Sequence, residues 1–276
     1  MLKLDLADAT AAIMAITVIT LPVYVFFSWL SDRIGRKPVM LAGLALAALA
    51  TFPVFQMLTE AVNPALAAAA AKSPVTVVAV PEDCSLQFDL IGKTQFVSSC
   101  DIAKSALTSA GIPYRNEAGP EGSFAQVKIG GEDVASPNGG AMNAADLAAA
   151  KKDFDVRLKT ALADAGYPQK ADPKMVDRTR TLILLLILGI AAAALYAPQA
   201  AALVELFPTR IRYTALSVPY HVGVGWFGGF LPATAFAIVA ATGDIYAGLW
   251  YPVIIAAIGF FVTLLFLPET YRRSID

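Results

Sequence analysis

Histidine and cysteine are almost absent from this sequence: its 276 residues hold one of the first and two of the second. That is too few for a zinc ring or a haem motif. Charge is also scarce, at 16% of residues against about 25% in soluble domains. The formal net charge is -1, so there is no basic footprint of the kind that nucleic acid requires. The opening residues Met1-Leu2-Lys3-Leu4-Asp5 lack the basic region and small-residue cleavage site of a secretory signal. No nucleophile–base pair, metal cluster or nucleotide motif stands out, so an enzyme is the least supported class. Neither a cofactor nor a metal is expected.

What the chain has in excess is apolar length. It is 57% hydrophobic, with a mean hydropathy of +0.61. Residues 9–30, 39–59, 181–204, 213–243 (His221 taken as neutral) and 245–268 carry no charge. Each run reaches the ~20 residues that cross a ~30 Å hydrocarbon core. A buried helix of a soluble protein can be apolar all round, but rarely over such lengths. Five runs predict an all-α polytopic membrane protein whose first partner is the lipid bilayer.

Residues 60–180 differ in kind, being polar, charged and rich in turn residues. They predict a small α+β insert between residues 1–59, with two spans, and 181–276, with three. Val75–Val80 reads as a strand, and Phe124–Ile129 with Gly130-Gly131 as a hairpin. Asp101–Ala110 and Ala144–Ala165 read as helices, the second with Asn143 as N-cap. The Ala67–Ala71 run either extends the second span or forms a linker.

Short cytoplasmic loops retain positive charge. Arg33, Arg36 and Lys37 lie in one loop, Arg210 and Arg212 in another, and Arg272 and Arg273 in the tail. The connection at Asp244 carries no cation. These sites alternate correctly with five crossings if the insert is extracytoplasmic and the carboxyl terminus cytoplasmic. Cys84 and Cys100 then lie in an oxidising compartment, where they can pair. Such a disulfide would contribute about 3 kcal/mol on the chain-entropy account; two buried free thiols are the alternative.

The run Leu30-Ser31-Asp32-Arg33-Ile34-Gly35-Arg36-Lys37-Pro38 is a very short link between two spans. Gly35 permits a tight reversal, and the three bases can reach the inner headgroups. Asp32 suits a helix amino terminus, where the backbone dipole favours an anion. As composition alone, this is either a topology anchor or a charge network.

These residues resemble the loop motif of the major facilitator superfamily, in its copy between helices eight and nine. Glu205-Leu206-Phe207-Pro208-Thr209-Arg210-Ile211-Arg212 resembles that family's signature between helices ten and eleven, and Pro268-Glu269-Thr270 the end of helix twelve. Residues 213–229, with Pro219-Tyr220-His221 and Trp226-Phe227-Gly228-Gly229, are similar to the metabolite–proton symporter branch. Ser28 stands where the loop motif usually opens with Gly. The resemblance implies the last five helices of a twelve-helix transporter, all in its carboxyl half, with the amino-terminal half as missing partner. It further implies proton-coupled symport of a small-molecule substrate across a plasma (inner cell) membrane.

The resemblance makes Asp32, Arg33, Gly35, Arg36, Lys37, Glu205, Pro208, Arg210, Arg212 and Glu269 parts of an inner gate. Asp32 would dock on the amino half, and Glu205 would pair with Arg33 or Arg36. It places Tyr24, Tyr196, Gln199, Tyr220, His221 and Trp226 as cavity candidates. Polar groups inside a span mark function by default, and a His titrates in the range that suits proton handling. The position of His221 near a helix end favours a solvated or carbonyl-bonded side chain instead. The tyrosines and Trp226 also suit an interface. Gly223, Gly225, Gly228 and Gly229 suggest close helix packing. A membrane-anchored extracytoplasmic binding or sensor protein is the competing class; its odd span number and its insert would then be the functional features.

Overall fold

The computed structural model describes residues 3–90 and 94–271. Arg272 and Arg273 of the expected basic tail lie outside the described residues. Among the described residues, five helices are long and apolar enough to cross a membrane: Leu6–Ile34, Arg36–Val62, Arg178–Leu206, Arg212–Thr242 and Ala247–Phe266. We label the helices α1 (Leu6–Ile34), α2 (Arg36–Val62), α3 (Pro64–Lys72), α4 (Ser99–Ser109), α5 (Ala144–Asp164), α6 (Arg178–Leu206), α7 (Arg212–Val222), α8 (Leu231–Thr242) and α9 (Trp250–Phe266). The chain forms two compact units. One comprises residues 1–5, 59–176 and 232–248; the other comprises 6–58, 177–231 and 249–276.

The second unit is built from the spans. Leu6, Val25, Leu49, Leu265 and Phe266 are all exposed. Apolar surface on this scale is unstable in water and ordinary in lipid. Between the helices the contacts are made by small residues. A Cβ on Gly189 would lie 2.6 Å from the Thr20 methyl of α1, and one on Gly43 would lie 2.7 Å from the Leu195 amide of α6. Ala191, Ala193, Ala194 and Ala202 of α6 are buried. Lipid tails are as apolar as leucine, so close van der Waals approach replaces hydrophobic exclusion as the cohesive force.

The segment Gly223–Gly228, between α7 and α8, is a π-helix. Nothing lies within 4 Å of a Cβ built on Gly223, Gly225 or Gly228, while one on Gly229 would strike the Gly225 carbonyl. Among the described residues no neighbouring helix packs against the first three of these glycines. They serve the widened turn itself, a form that accumulates at functional positions.

The first unit contains a four-stranded sheet of β1 (Val75–Ala79), β2 (Tyr114–Ala118), β3 (Gln126–Ile129) and β4 (Glu132–Ala135), in the order β2-β1-β3-β4. β1 and β2 run parallel, joined through α4; the β1–β3 and β3–β4 pairs are antiparallel. Gly130 (φ 55°) and Gly131 (φ 102°) make the β3–β4 turn, which only residues tolerant of left-handed backbone form readily. Val75, Val77, Val127, Ile129 and Val134 join Leu107 of α4 and Phe154 and Leu158 of α5 in one buried cluster. The Asn138-to-Asn143 approach to α5 ends in a true N-cap, where the Asn143 side chain accepts the Asp146 amide. The alanine run forms its own helix, α3, because Asn63 caps it by accepting the Leu66 amide.

Residues 232–248 belong to this unit because β2, an edge strand, binds them. The Tyr114 amide donates to the Gly243 carbonyl at 2.9 Å. The Tyr114 hydroxyl donates to the Ala240 carbonyl at 2.6 Å, and the Asn116 side chain donates to Ala241 at 3.1 Å. Last-turn carbonyls of a helix have no intrahelical partner; here the sheet edge supplies donors to two of them, Ala240 and Ala241, and a third to Gly243 just beyond the helix. Gly243 has φ 78°, and the Tyr114 carbonyl fills the space of a side chain there.

Two outcomes follow from this packing. Phe154 is fully buried, so Phe154→Ala should lower the stability of the insert by about 3–5 kcal/mol, seen as a lower unfolding midpoint of the detergent-solubilised chain. Burial pushes the Tyr114 phenol up to about 12. Its folded value exceeds the ordinary one, so its contribution is intact below about pH 10 and is lost as pH rises toward 12, at about 1.4 kcal/mol per unit. Ultraviolet titration should show one late-ionising tyrosine that Tyr114→Phe removes.

Candidate functional site

α1 ends at Ile34 and α2 begins at Arg36, so Gly35 alone makes the reversal. It adopts φ 108°, a backbone conformation that side-chain-bearing residues resist. Its amide donates to the Ser31 carbonyl at 3.1 Å. A Cβ at Gly35 would collide with the Glu269 carboxylate. That carboxylate accepts the amides of Arg36 at 2.9 Å and Lys37 at 3.1 Å. Glu269 therefore caps the amino terminus of α2, where free amides and the helix dipole attract an anion. The sequence pointed to Asp32 for that role. Asp32 instead lies on the last turn of α1, 64% exposed, because one residue of link cannot carry it back past Gly35.

Arg36 gathers the other charges. One face of its guanidinium forks onto Glu205, Nη2 to Oε1 at 3.0 Å and Nε to Oε2 at 3.5 Å. Nη1 donates to the Ser31 hydroxyl at 2.9 Å and also to Asp32. Thr270 donates its hydroxyl to the second Glu205 oxygen. The Arg36 and Glu205 side chains are only 12% and 9% exposed, so their pairing is weakly screened and geometrically specific. One arginine thus ties the end of α1, the start of α2, the end of α6 and the segment after α9 into a single network. The Lys37 ammonium adds a bond to the Leu264 carbonyl of α9 at 2.8 Å.

The remaining gate candidates stand apart from this network. Arg33 lies over the Trp29 ring, 4.2 Å from its centroid. Arg212 donates from Nε to the Phe207 carbonyl at 3.1 Å, closing the turn in which Pro208 and Arg210 are exposed. Glu205 meets Arg36 and not Arg33. Sequence reasoning missed Ser31 and Thr270. Both are buried hydroxyls, and nothing in an isolated serine or threonine signals such a role.

Tyr24 is half-buried on α1, and Tyr196 and Gln199 lie on α6. Tyr220, His221 and Trp226 are exposed. Among the described residues, no hydrogen bond or ring contact joins the first three to the last three. The Tyr220 and His221 rings meet edge to face at 5.7 Å. His221 Nδ1 lies 2.7 Å from the Ser217 carbonyl and 3.2 Å from its hydroxyl. This is the carbonyl-bonded arrangement of a histidine serving its own helix. Among the described residues, no group of three His, Cys, Asp or Glu is placed to hold a metal ion.

Five helices long and apolar enough to cross a membrane, with a cluster of charges at their ends, define a multi-span membrane protein. Residues 172–276 match the family described as Sugar (and other) transporter. A putative proline/betaine transporter of Staphylococcus haemolyticus is 35% identical over 89 residues, 32% of this chain and 19% of that protein. The glycine betaine/proline/ectoine/pipecolic acid transporter OusA of Dickeya dadantii is 34% identical over 91 residues, 33% of this chain and 18% of its own length. The ectoine/proline transporter ProP of Corynebacterium glutamicum is 33% identical over 95 residues, 34% of this chain and 18% of its own. The chain thus matches about a fifth of the length of these relatives. No solved structure matches it. Over this stretch the chain is similar to that transporter family.

The Gly35–Glu269 contact gives a direct check. Gly35→Ala adds an unfavourable backbone and displaces the carboxylate. It should cost about 1–3 kcal/mol and lower the melting temperature in detergent. Ala at Gly43 or Gly189 should also destabilise, but without altering the reactivity of a probe at Glu269.

Proposed function

We propose that this chain works as the carboxyl-terminal part of a secondary active transporter that takes up a small metabolite with protons by alternating access. The observation that carries this reading is the Arg36–Glu205–Asp32 network, with Glu269 beside it, joining four spans at one end. Alternating access needs such an end to be held in one state and released in another. Partly buried ion pairs suit this, because their strength depends on geometry and water access. The gate comprises Asp32, Arg33, Gly35, Arg36, Lys37, Glu205, Pro208, Arg210, Arg212 and Glu269, and it faces the cytoplasm of a plasma (inner cell) membrane. Residues 60–180 then form an extracytoplasmic insert between the spans of 1–59 and those of 181–276. The positive loops support that orientation.

The names of the relatives point to zwitterionic solutes such as proline, betaine and ectoine. In this reading Tyr24, Tyr196, Gln199, Tyr220, His221 and Trp226 are the groups available to the substrate path. Their aromatic faces suit a quaternary or secondary ammonium. An amino-terminal set of helices completes the path.

Uptake of radiolabelled betaine and proline into cells or vesicles carrying the transporter tests the proposal. Glu205→Gln leaves Arg36 without its bidentate partner and should reduce uptake about tenfold or more, consistent with ~2–4 kcal/mol for an unpaired buried charge. A protonophore should abolish accumulation in the wild type. Undiminished uptake by the variant would remove the gate assignment, and accumulation that ignores the protonophore would remove proton coupling.

A further inference from the structure

The first unit holds a cavity of about 720 Å³ that the charge network does not use. α4 lines it with Ser105 and Ser109, α5 with Lys151, Asp155 and Lys159, and α8 with Phe236. α8 ends the helix Arg212–Thr242, which is long and apolar enough to cross a membrane. At the rise of an α-helix, Phe236 lies about 9 Å below the Thr242 end. One wall of the cavity is therefore part of a span, close to the end where hydrocarbon gives way to headgroups. The carboxyl end of α4 lies at the same level, since Tyr114, just beyond it, bonds Gly243.

A second wall adds apolar surface. Asp89 and Phe96 line the cavity from the loop between β1 and α4. On the same loop Leu86, Phe88 and Leu90 are 71%, 42% and 51% exposed. Apolar side chains at every second position of an exposed loop suit contact with acyl chains. The start of this loop is held against α4. The Cys84–Cys100 disulfide joins the two, with Cα atoms 5.2 Å apart, and the Gln87 side chain donates to the Asp101 carbonyl at 2.7 Å.

Charge on the cavity is balanced. Lys151, Asp155 and Lys159 follow one another at single-turn spacing on α5. Elsewhere on that helix Arg157 pairs with Asp153 at 2.9 Å. Among the described residues, none of the three has an ion pair, and the Ser105 and Ser109 hydroxyls have no hydrogen bond. Asp89 is engaged, accepting the Thr94 amide at 2.8 Å. Two cations and two carboxylates suit a ligand that carries both signs rather than a net anion. Their order has a direction. Tyr167, beyond the carboxyl end of α5, donates to the Ser73 carbonyl, two residues before Val75, the register partner of Tyr114. Lys159 is therefore nearer the α8 end than Asp155 is. Phe236, Lys159 and Asp155 succeed one another outward, as acyl chain, phosphate and amine do in a phospholipid.

We propose that this cavity binds the headgroup of a zwitterionic phospholipid, a phosphate joined to an amine, as in phosphatidylethanolamine. Lys159 and the Ser109 hydroxyl donate to the phosphate oxygens. Asp155 accepts from the amine one turn further out, and a turn of about 5.4 Å is comparable to the reach from phosphate to amine. Phe96 and Phe236 cover the first carbons of the acyl chains. A free amino acid or betaine would leave most of the 720 Å³ unfilled and the aromatic wall uncovered. Binding here fastens the insert to the bilayer, whatever solute the spans carry.

The test places the whole chain in vesicles of equal parts phosphatidylethanolamine and phosphatidylglycerol, extracts it into mild detergent and weighs it by native mass spectrometry. A single phosphatidylethanolamine per chain should survive extraction. Lys159→Gln, at an exposed position, should lower that occupancy about tenfold through loss of a charge-assisted bond to phosphate. Lys128→Gln, exposed on β3 away from the cavity, should leave it unchanged. Glycerophosphoethanolamine, the same headgroup without chains, should not displace the lipid at equal concentration; displacement would make a soluble phosphate ester the ligand and overturn the lipid assignment. Equal retention of the two lipids, retention of neither, or full occupancy in Lys159→Gln also overturns the proposal. Should Lys159→Gln fail to fold, the choice of the wild type between the two lipids and its response to the free headgroup decide alone.

Discussion

The Arg36 guanidinium is the constraint around which the membrane unit is organised. It is nearly dry, and its fork is filled by Glu205 on one side and by Ser31 and Asp32 on the other. A buried charge of this kind is tolerable only when it is fully paired. Its partners therefore have to arrive together. That requirement brings α6 and the chain after α9 to the α1–α2 reversal, and it explains why the reversal is a single glycine. A longer link would let Arg36 drift from Ser31; a side chain would push Glu269 off the α2 amides. In a bilayer, where helices gain nothing by hiding from water, such polar ties and small-residue contacts carry the specificity that a hydrophobic core carries elsewhere.

Much of this was legible in the sequence, for reasons that differ by element. Uncharged length marked the spans because lipid imposes it over some twenty residues at once. Gly130-Gly131 marked the β3–β4 turn, and Asn143 the start of α5, because those residues act on their own backbone. β2 was not foreseen: Tyr114–Ala118 is mostly exposed and lacks alternation, and it is a strand only because β1 offers it an edge. The π turn was misread for a related reason. Its glycines look like a helix-packing motif, and only the backbone shows that nothing packs against them.

The charge network was half legible. The charges at 32–37 and at 205 announce themselves, since ionised groups at span ends are few. Which anion pairs with which cation is a matter of helix phase and of one-residue link length. The sequence reading accordingly assigned the helix-capping role to Asp32, where the structure places Glu269. The exposed aromatics at Tyr220 and Trp226 have no contact with the α1 and α6 candidates among the described residues, so proximity does not join them into one site.

The edge of the sheet has a consequence for association. An unpaired strand edge is a template on which a second chain can add. Here the Tyr114 amide at the start of β2 is taken by Gly243, and the Tyr114 and Asn116 side chains bond Ala240 and Ala241 alongside it, while β4, the opposite edge, is four residues long and carries Glu132 and Asp133. The sheet is thus occupied at the start of one edge and made repellent to strand addition by charge on the other.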